Sequence, residues 1–332
     1  MILHSFFDGV YGNDAVKELF ASRIAENKLS HAYMLVGPDG SGKKTLVHAI
    51  ASEMARHSGA SEAMVERIAG GHSPDVLTIP TDEKRIGIDT VRSFVSTVYL
   101  TPNELDFKIY IFDGADRLTP QAQNALLKII EEPPRSVYIF LLCANPASLL
   151  QTVRSRVISV SMQTFTEDEV RRYLASIGEN MSDDTQRADF AVRMSAGALG
   201  AVKTLMDPEN KEYDAYKKAE EAVACLSKKN RSTAYFDMLT LVTGAVKSTE
   251  DLALLLKYLI AIYRDVFYAQ NSEELELTLI DEETAEHYAA LFSVRTVIES
   301  LELASNVQKN MNFNVNTGLS AVYLAENLWR IT

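Results

Sequence analysis

His31-Ala32-Tyr33-Met34-Leu35-Val36-Gly37-Pro38-Asp39-Gly40-Ser41-Gly42-Lys43-Lys44-Thr45 is the stretch that decides the fold. Its first six residues are a short apolar run that reads as a buried parallel strand, and Thr45 to Ala55 is Ala-rich with a helical pattern. Between them Gly37, Gly40 and Gly42 punctuate a loop of the form G-x-x-x-x-G-K. In such a loop backbone N–H groups wrap phosphate oxygens, and the lysine, here Lys43, reaches the β- and γ-phosphates. The pattern then requires Ser or Thr, whose hydroxyl holds Mg²⁺, but this chain has Lys44. Thr45 follows, yet one step along a helix turns a side chain by roughly 100°. Its oxygen is therefore expected to point away from the metal position. The stretch predicts a nucleotide-binding fold with altered chemistry; a tight turn that binds nothing is the alternative.

The flanking sequence repeats the strand-then-helix order. Val76 to Ile79 reads as a strand, and Ile88 to Val98 as an amphipathic helix with Val91, Phe94, Val95 and Val98 on one face. Lys108 to Asp113 is a buried strand ending in an acid. Thr119-Pro120 supplies an N-cap and a first-turn proline for a helix over Gln121 to Ile130, which stops before Pro133-Pro134, and Val137 to Ala144 is a further strand. This alternation implies an α/β fold with a parallel sheet and ligands at the carboxyl ends of its strands, where the Gly-rich loop and Asp113 both fall. Hydrolysing proteins of this build place Asp-Glu at the end of that strand, the Asp for Mg²⁺ and the Glu for the attacking water. Here Asp113 is followed by Gly114, so the water-orienting carboxylate, a kind of assistance typically worth ~10²–10⁴ in rate, is missing. Asp116 reads better as a cap or solvated loop residue than as its substitute.

After Ser155-Arg156-Val157-Ile158 the strand pattern fades. Thr166-Glu167-Asp168-Glu169 predicts a capped helix running to Ile177, with further helices around Asp189 to Ala196 and Gly200 to Met206. From Glu212 the chain is almost wholly helical, with a wide stripe of Leu252, Leu255, Leu256, Leu259, Tyr263, Val266 and Phe267. We expect three parts: a P-loop domain over 1–160, a small helical lid over 161–208 and an all-helical collar over 209–332.

The 332 residues, 47% hydrophobic and 23% charged, have ordinary globular composition. A net charge of −12 repels nucleic acid on average, so any DNA contact must be local or supplied by partners. Cys143 and Cys225 are far apart and outside any Cys/His cluster, which argues against a disulfide framework or a zinc site, and Cys143 reads as an inert thiol in a buried strand. No apolar run reaches the roughly 20 residues of a membrane span, and the start of the chain, with His4 and Asp8 around Phe6-Phe7, lacks a leader pattern. A cytoplasmic protein without membrane contact is expected.

A family resemblance is carried by His31-Ala32-Tyr33, the Gly-rich loop, Gly71-His72-Ser73-Pro74-Asp75-Val76, Asp113-Gly114-Ala115-Asp116-Arg117-Leu118, Asn124-Ala125-Leu126-Leu127-Lys128, Glu131-Glu132-Pro133-Pro134 and Ser155-Arg156. Together they resemble the bacterial clamp-loader branch of the AAA+ ATPases, and within it the delta-prime subunits of DNA polymerase III more than the tau/gamma motors. The likeness covers the first 206 residues, and more weakly the helical remainder through Asn314-Val315-Asn316 and the helix ending near Trp329.

The resemblance implies a fixed subunit of a five-membered ring, flanked by delta and tau/gamma subunits, that loads a sliding clamp onto primed DNA. Ser155-Arg156 matches a family motif whose arginine enters a neighbour's ATP site, so it implies that Arg156 is an arginine finger acting in trans. Arg154, two residues away, is expected on the other side of an extended segment. The resemblance also implies a degenerate nucleotide site of Gly37, Gly40, Gly42, Lys43, Lys44, Thr45 and Asp113. Lid arginines of motor subunits follow a Gly-x-x-Arg pattern, where this chain has Gly197-Ala198-Leu199-Gly200, and the four-Cys zinc module of the family has no cysteine between Arg56 and Gly71. No metal or required cofactor is expected, only weak ATP or ADP binding, with no ATPase activity by the chain alone inside an ATP-hydrolysing polymerase III complex. A tau/gamma-like motor with relaxed motifs is the alternative, and a small-molecule kinase is disfavoured by the long helical half.

Overall fold

The computed structural model describes residues 7, 10–79, 85–176, 185–226, 231–272, 277–311 and 316–332. His4, Phe6, Asp8, Ile177, Asn314 and Val315, used in the readings above, lie outside them. The chain forms two compact units, one of residues 1–173 with 196–201 and the other of residues 174–195 with 202–332.

The first unit begins with α1 (Asp14–Ala25), β1 (Ala32–Val36), α2 (Lys43–His57), α3 (Glu62–Ala69), β2 (Val76–Ile79) and α4 (Ile88–Thr97). It continues with β3 (Lys108–Asp113), α5 (Pro120–Glu131), β4 (Val137–Cys143), α6 (Gln151–Arg154), β5 (Ile158–Ser161) and the start of α7 (Glu167–Ser176). Every strand pair is parallel, in the order β2-β3-β4-β1-β5. Side chains alternate across the pleat, so each strand feeds two cores. Tyr33, Leu35, Ile109, Ile111, Phe140 and Leu142 face one layer with α1, α2 and α3, while Met34, Tyr110, Phe112, Ile139 and Leu141 face the other with α4 and α5. The expected strands and the Thr119-Pro120 helix start are all present, with the Thr119 hydroxyl accepting from the Ala122 N–H.

Between Arg56 and Gly71, α3 packs on α2 through Val65 and Ile68, and the His48 ring bonds the Ile68 carbonyl at 3.1 Å. Apolar packing thus does the joining in a segment with no cysteine. Asp75, fully buried, pins the chain between α4 and β3: its carboxylate accepts the backbone N–H groups of Asn103, Glu104 and Leu105 at 2.7–3.0 Å and the Asn103 amide at 3.1 Å.

The second unit holds α8 (Thr185–Met194), most of α9 (Leu199–Met206), α10 (Glu212–Leu226), α11 (Arg231–Ala245), α12 (Thr249–Asn271), α13 (Glu282–Leu291), α14 (Val294–Asn310) and α15 (Thr317–Ile331). The long α12 is its axis, packing on α10, α13 and α14 through the expected leucine stripe. It starts from a capping box of Ser248 and Asp251. Asp265, fully buried on the same helix, accepts the N–H groups of Thr278, Leu279 and Ile280 and so fixes the approach to α13. Asn316 caps α15 through the Leu319 N–H. Among the described residues no helix is long and apolar enough to cross a membrane.

Burial alone would push the Asp75 carboxyl up, but its backbone and amide donors outweigh that and hold it below the ordinary 3.8. A lowered folded value stabilises above the unfolded one, and the gain is lost as pH falls through the folded value. Asp75→Ala is expected to cost about 1–3 kcal/mol at pH 7, measured by urea unfolding, with the difference from wild type shrinking in acid below about pH 4.

Candidate functional site

The loop between β1 and α2 sits at the carboxyl edge of the sheet because it follows the end of β1, and β4 alone separates it from the end of β3. Val36 is in register with Cys143, Asp113 with Leu142, and the Gly37 N–H extends the ladder by donating to the Cys143 carbonyl at 3.1 Å. Gly37, Lys43 and Asp113 thereby reach one edge from separate parts of the chain. Cys143 is buried as expected, and burial pushes its thiol up to about 11, so it is protonated and unreactive at neutral pH.

Lys43 opens α2 with its side chain only 7% exposed. Its ammonium donates to the carbonyls of Gly37 at 2.6 Å and Pro38 at 2.7 Å and lies 3.9 Å from Asp39. Burial lowers its pKa, against the opposing pull of Asp39 and Asp113. The loop is thus braced from inside by the side chain that the motif assigns to phosphate.

Lys44, the residue at the hydroxyl position, directs its ammonium to Asp113, with Nζ 3.9 Å from Oδ2. In a hydrolysing P-loop the hydroxyl and this acid hold Mg²⁺ between them. Here the half-exposed Lys44 ammonium lies beside that acid in place of the hydroxyl, and Thr45 is solvent-exposed one position on. Bringing a divalent cation beside an ammonium is repulsive, and lysine has no lone pair to offer while protonated. These residues do not fit Mg²⁺.

The water-orienting position is altered as well. Gly114 has φ +77° and precedes a single 3₁₀ turn, Ala115–Arg117, that brings Arg117 back over it. A Cβ at Gly114 would lie 2.3 Å from Arg117 Nη2, and the same Nη2 donates to the Asp113 carbonyl at 3.3 Å. A guanidinium occupies the space where a glutamate side chain would begin. Asp116 lies within this turn and is half-buried. Arg117 was quoted in the sequence only as part of a motif; its three-residue separation from Gly114, which eclipses side chains in a 3₁₀ turn, was the available signal.

Gly40 and Gly200 meet through their backbones. The Gly200 N–H donates to the Gly40 carbonyl at 2.8 Å, and a Cβ at Gly200 would lie 2.8 Å from that oxygen. Gly40, at φ +78°, is as tightly held, since a Cβ there would come within 2.3 Å of the Ala201 nitrogen. Residue 200 therefore lacks an arginine and also lacks room for one. Gly42 is the left-handed residue from which α2 starts.

Arg156 belongs to a different place, beside the end of α5. The extended segment expected around it is instead one helical turn, α6, followed by a turn at Ser155 and Arg156. The difference has a local cause: Leu150 turns the chain into a helix that Val153 anchors in the core. Arg154 and Arg156 are both exposed, but their partners differ. Arg154 donates to the Gln151 side chain at 2.7 Å, whereas Arg156 pairs with Glu131 and donates to the Thr152 carbonyl at 3.0 Å.

A parallel sheet with a Gly-rich loop after its β1 strand and an acid at the end of β3 defines a protein of the P-loop class. A family model described as "DNA polymerase III, delta subunit" matches residues 12–166. The DNA polymerase III subunit delta' of Bacillus subtilis is 24% identical over 91% of this chain and 91% of its own length. The tau subunit of the same organism is 22% identical over 92% of this chain, and the gamma subunit of Buchnera aphidicola subsp. Schizaphis graminum 24% identical over 60%. The chain spans 58% of the length of those tau and gamma relatives. A solved gamma-related protein of Thermotoga maritima overlays with a TM-score of 0.49 at 20% identity, covering 94% of this chain and 98% of its own; the fold rests on the strand order above, not on that overlay. The chain is similar to clamp-loader subunits of DNA polymerase III, and of the three relatives aligned by sequence it is the delta' subunit that it matches over nine-tenths of both chains.

For the wild-type chain, Mg²⁺ is expected to give no gain in ATP or ADP affinity over EDTA, whereas Lys44→Thr is expected to show one, by calorimetric titration. Adding Gly114→Glu is not expected to restore turnover, because that position is left-handed and faces Arg117; Arg117→Ala would have to accompany it. A Mg²⁺ gain in the wild type equal to that of Lys44→Thr would remove the role given to the Lys44 charge.

Proposed function

We propose that this chain is a delta-prime-like fixed subunit of a DNA polymerase III clamp loader, one that lends an arginine to a neighbouring ATPase and does no hydrolysis itself. The observation that carries this reading is the ion pair of Lys44 with Asp113, which puts a side-chain cation where catalysis needs a metal. Gly114 under Arg117 and the closed approach of Gly40 to Gly200 point the same way. Arg156, by contrast, keeps an exposed guanidinium at the end of a braced helical turn.

In this reading the first 160 residues are the P-loop domain, 161–208 the lid and 209–332 the collar that enters a five-membered ring. The partners are a delta subunit on one side and a tau/gamma subunit on the other, with the sliding clamp and primed DNA met through the complex in the cytoplasm. The net charge of −12 fits a subunit that leaves most DNA contact to others. Any ATP or ADP held by Lys43 and its loop would be weakly bound and structural. Chemistry takes place in the neighbour's site, where Arg156 would stabilise the charge spread over the transferring phosphoryl oxygens.

The test is clamp- and DNA-stimulated ATP hydrolysis by the ring reconstituted with its cognate subunits. An arginine supplied in trans is worth ~10³–10⁵ in rate where it serves one essential site. Arg156→Ala is expected to cut turnover at the adjacent site by a factor approaching that range, with Arg154→Ala near wild type and the isolated chain inactive. Equal activity of Arg156→Ala and wild type would reject the donor role, and robust hydrolysis by the isolated chain would mark a tau/gamma-like motor instead.

A further inference from the structure

Gln123, on the buried side of α5, is 1% exposed and uses both ends of its amide. Nε2 donates to the carbonyls of Leu118 at 3.0 Å and Ser148 at 3.2 Å, while Oε1 accepts the Leu150 N–H at 2.6 Å. Leu150 is the N-cap of α6, so one buried side chain ties the start of α5 to the start of the short helix that leads into the turn of Arg156. A buried, fully used amide sets geometry firmly, because any shift leaves polar atoms without partners.

At the far end of α5, eight residues and about 12 Å along the helix axis, Glu131 accepts a hydrogen bond from Arg156 Nε. Arg156 Nη1 donates to the Thr152 carbonyl at 3.0 Å and to the Ser155 hydroxyl at 3.3 Å. Among the described residues, Nη2 with its two N–H groups is the nitrogen of this guanidinium without a partner. The planar fork is thus gripped at two of its three nitrogens and presents the third.

The side chains of Arg156 and Glu131 are 40% and 45% exposed, so water screens the pair and it contributes little to stability. Its effect is on orientation: an ungripped arginine has many rotamers, and each one lost in advance is a cost not met when the phosphate contact forms.

We propose that Glu131 is a positioning residue for Arg156, holding the guanidinium so that Nη2 is delivered to the terminal phosphoryl oxygens of a nucleoside triphosphate bound by the neighbouring subunit. This rests on the finger reading given above for Arg156. Glu131 touches no substrate and acts only through the arginine it holds.

The experiment is a double-mutant cycle in the reconstituted ring, reading kcat and KM for ATP, with ring assembly checked by size-exclusion chromatography. Glu131→Ala is expected to lower kcat about tenfold with KM unchanged, a misplacement effect within the range that positioning errors produce. Glu131→Gln, which keeps an oxygen to accept from Nε, is expected to retain most of the activity, and in the Arg156→Ala background Glu131→Ala is expected to change nothing further. Unchanged or raised kcat for Glu131→Ala, or a loss that multiplies with that of Arg156→Ala, would overturn the proposal while leaving the finger in place. If Glu131→Ala does not assemble, a Glu131→Gln ring with the same tenfold loss as expected for alanine would overturn it, since the acceptor is kept. An Arg156→Ala ring with wild-type activity would instead reject the finger itself.

Discussion

Strand β4 is the constraint on which the P-loop unit depends. It is hydrogen-bonded along both edges, to β1 on one side and β3 on the other, and all but one of its seven residues are buried. Because the strands are parallel and in register, their carboxyl ends are forced to one edge, and the Gly-rich loop and Asp113 emerge there with a single strand between them. The Cys143 carbonyl then accepts from Gly37, so the ladder itself sets where the loop begins. A charged or prolyl residue in the middle of β4 would disturb both neighbouring strands and the loop together.

Electrostatics on that edge are balanced from within. Lys43 is bonded to loop carbonyls, Lys44 faces Asp113, and Arg117 lies over Gly114 with a bond to the Asp113 carbonyl. In a hydrolysing relative of this build, part of this charge balance would come from a bound metal and nucleotide. Here three side chains of the chain provide positive charge permanently, so the loop keeps its shape by its own contacts. That is the physical sense in which a P-loop can persist as architecture after its chemistry has been altered.

Two buried carboxylates do comparable work away from the loop. Asp75 and Asp265 each collect three backbone N–H groups from a segment outside regular structure and hold that segment against a core. Sequence periodicity marks apolar residues as the core, and a carboxylate on a strand boundary or helix face looks solvated by the same rule. Asp75 was visible only as one letter of a motif, and Asp265 not at all, because their partners are backbone groups whose identity the sequence does not encode. Gln123 was hidden for the same reason, and Glu131 was legible as part of Glu131-Glu132-Pro133-Pro134 without any sign that it meets a residue 25 positions on.

The sequence by itself determined the strand, loop and helix order, the Thr119-Pro120 helix start, the leucine stripe of α12 and the loss of the Mg²⁺ hydroxyl at Lys44. These follow from local spacing and side-chain type, which act over a few residues. Tertiary structure decided that Lys44 pairs with Asp113, that Arg117 fills the space above Gly114, that Gly200 has no room for a side chain, and that Arg156 sits in a turn gripped by Glu131. Each of these is a meeting in space that periodicity cannot register. The Lys44, Gly200 and Arg156 contacts join residues far apart in the chain through the sheet and its connecting loops, and the Arg117 contact exists only because three residues close into a 3₁₀ turn rather than an extended link.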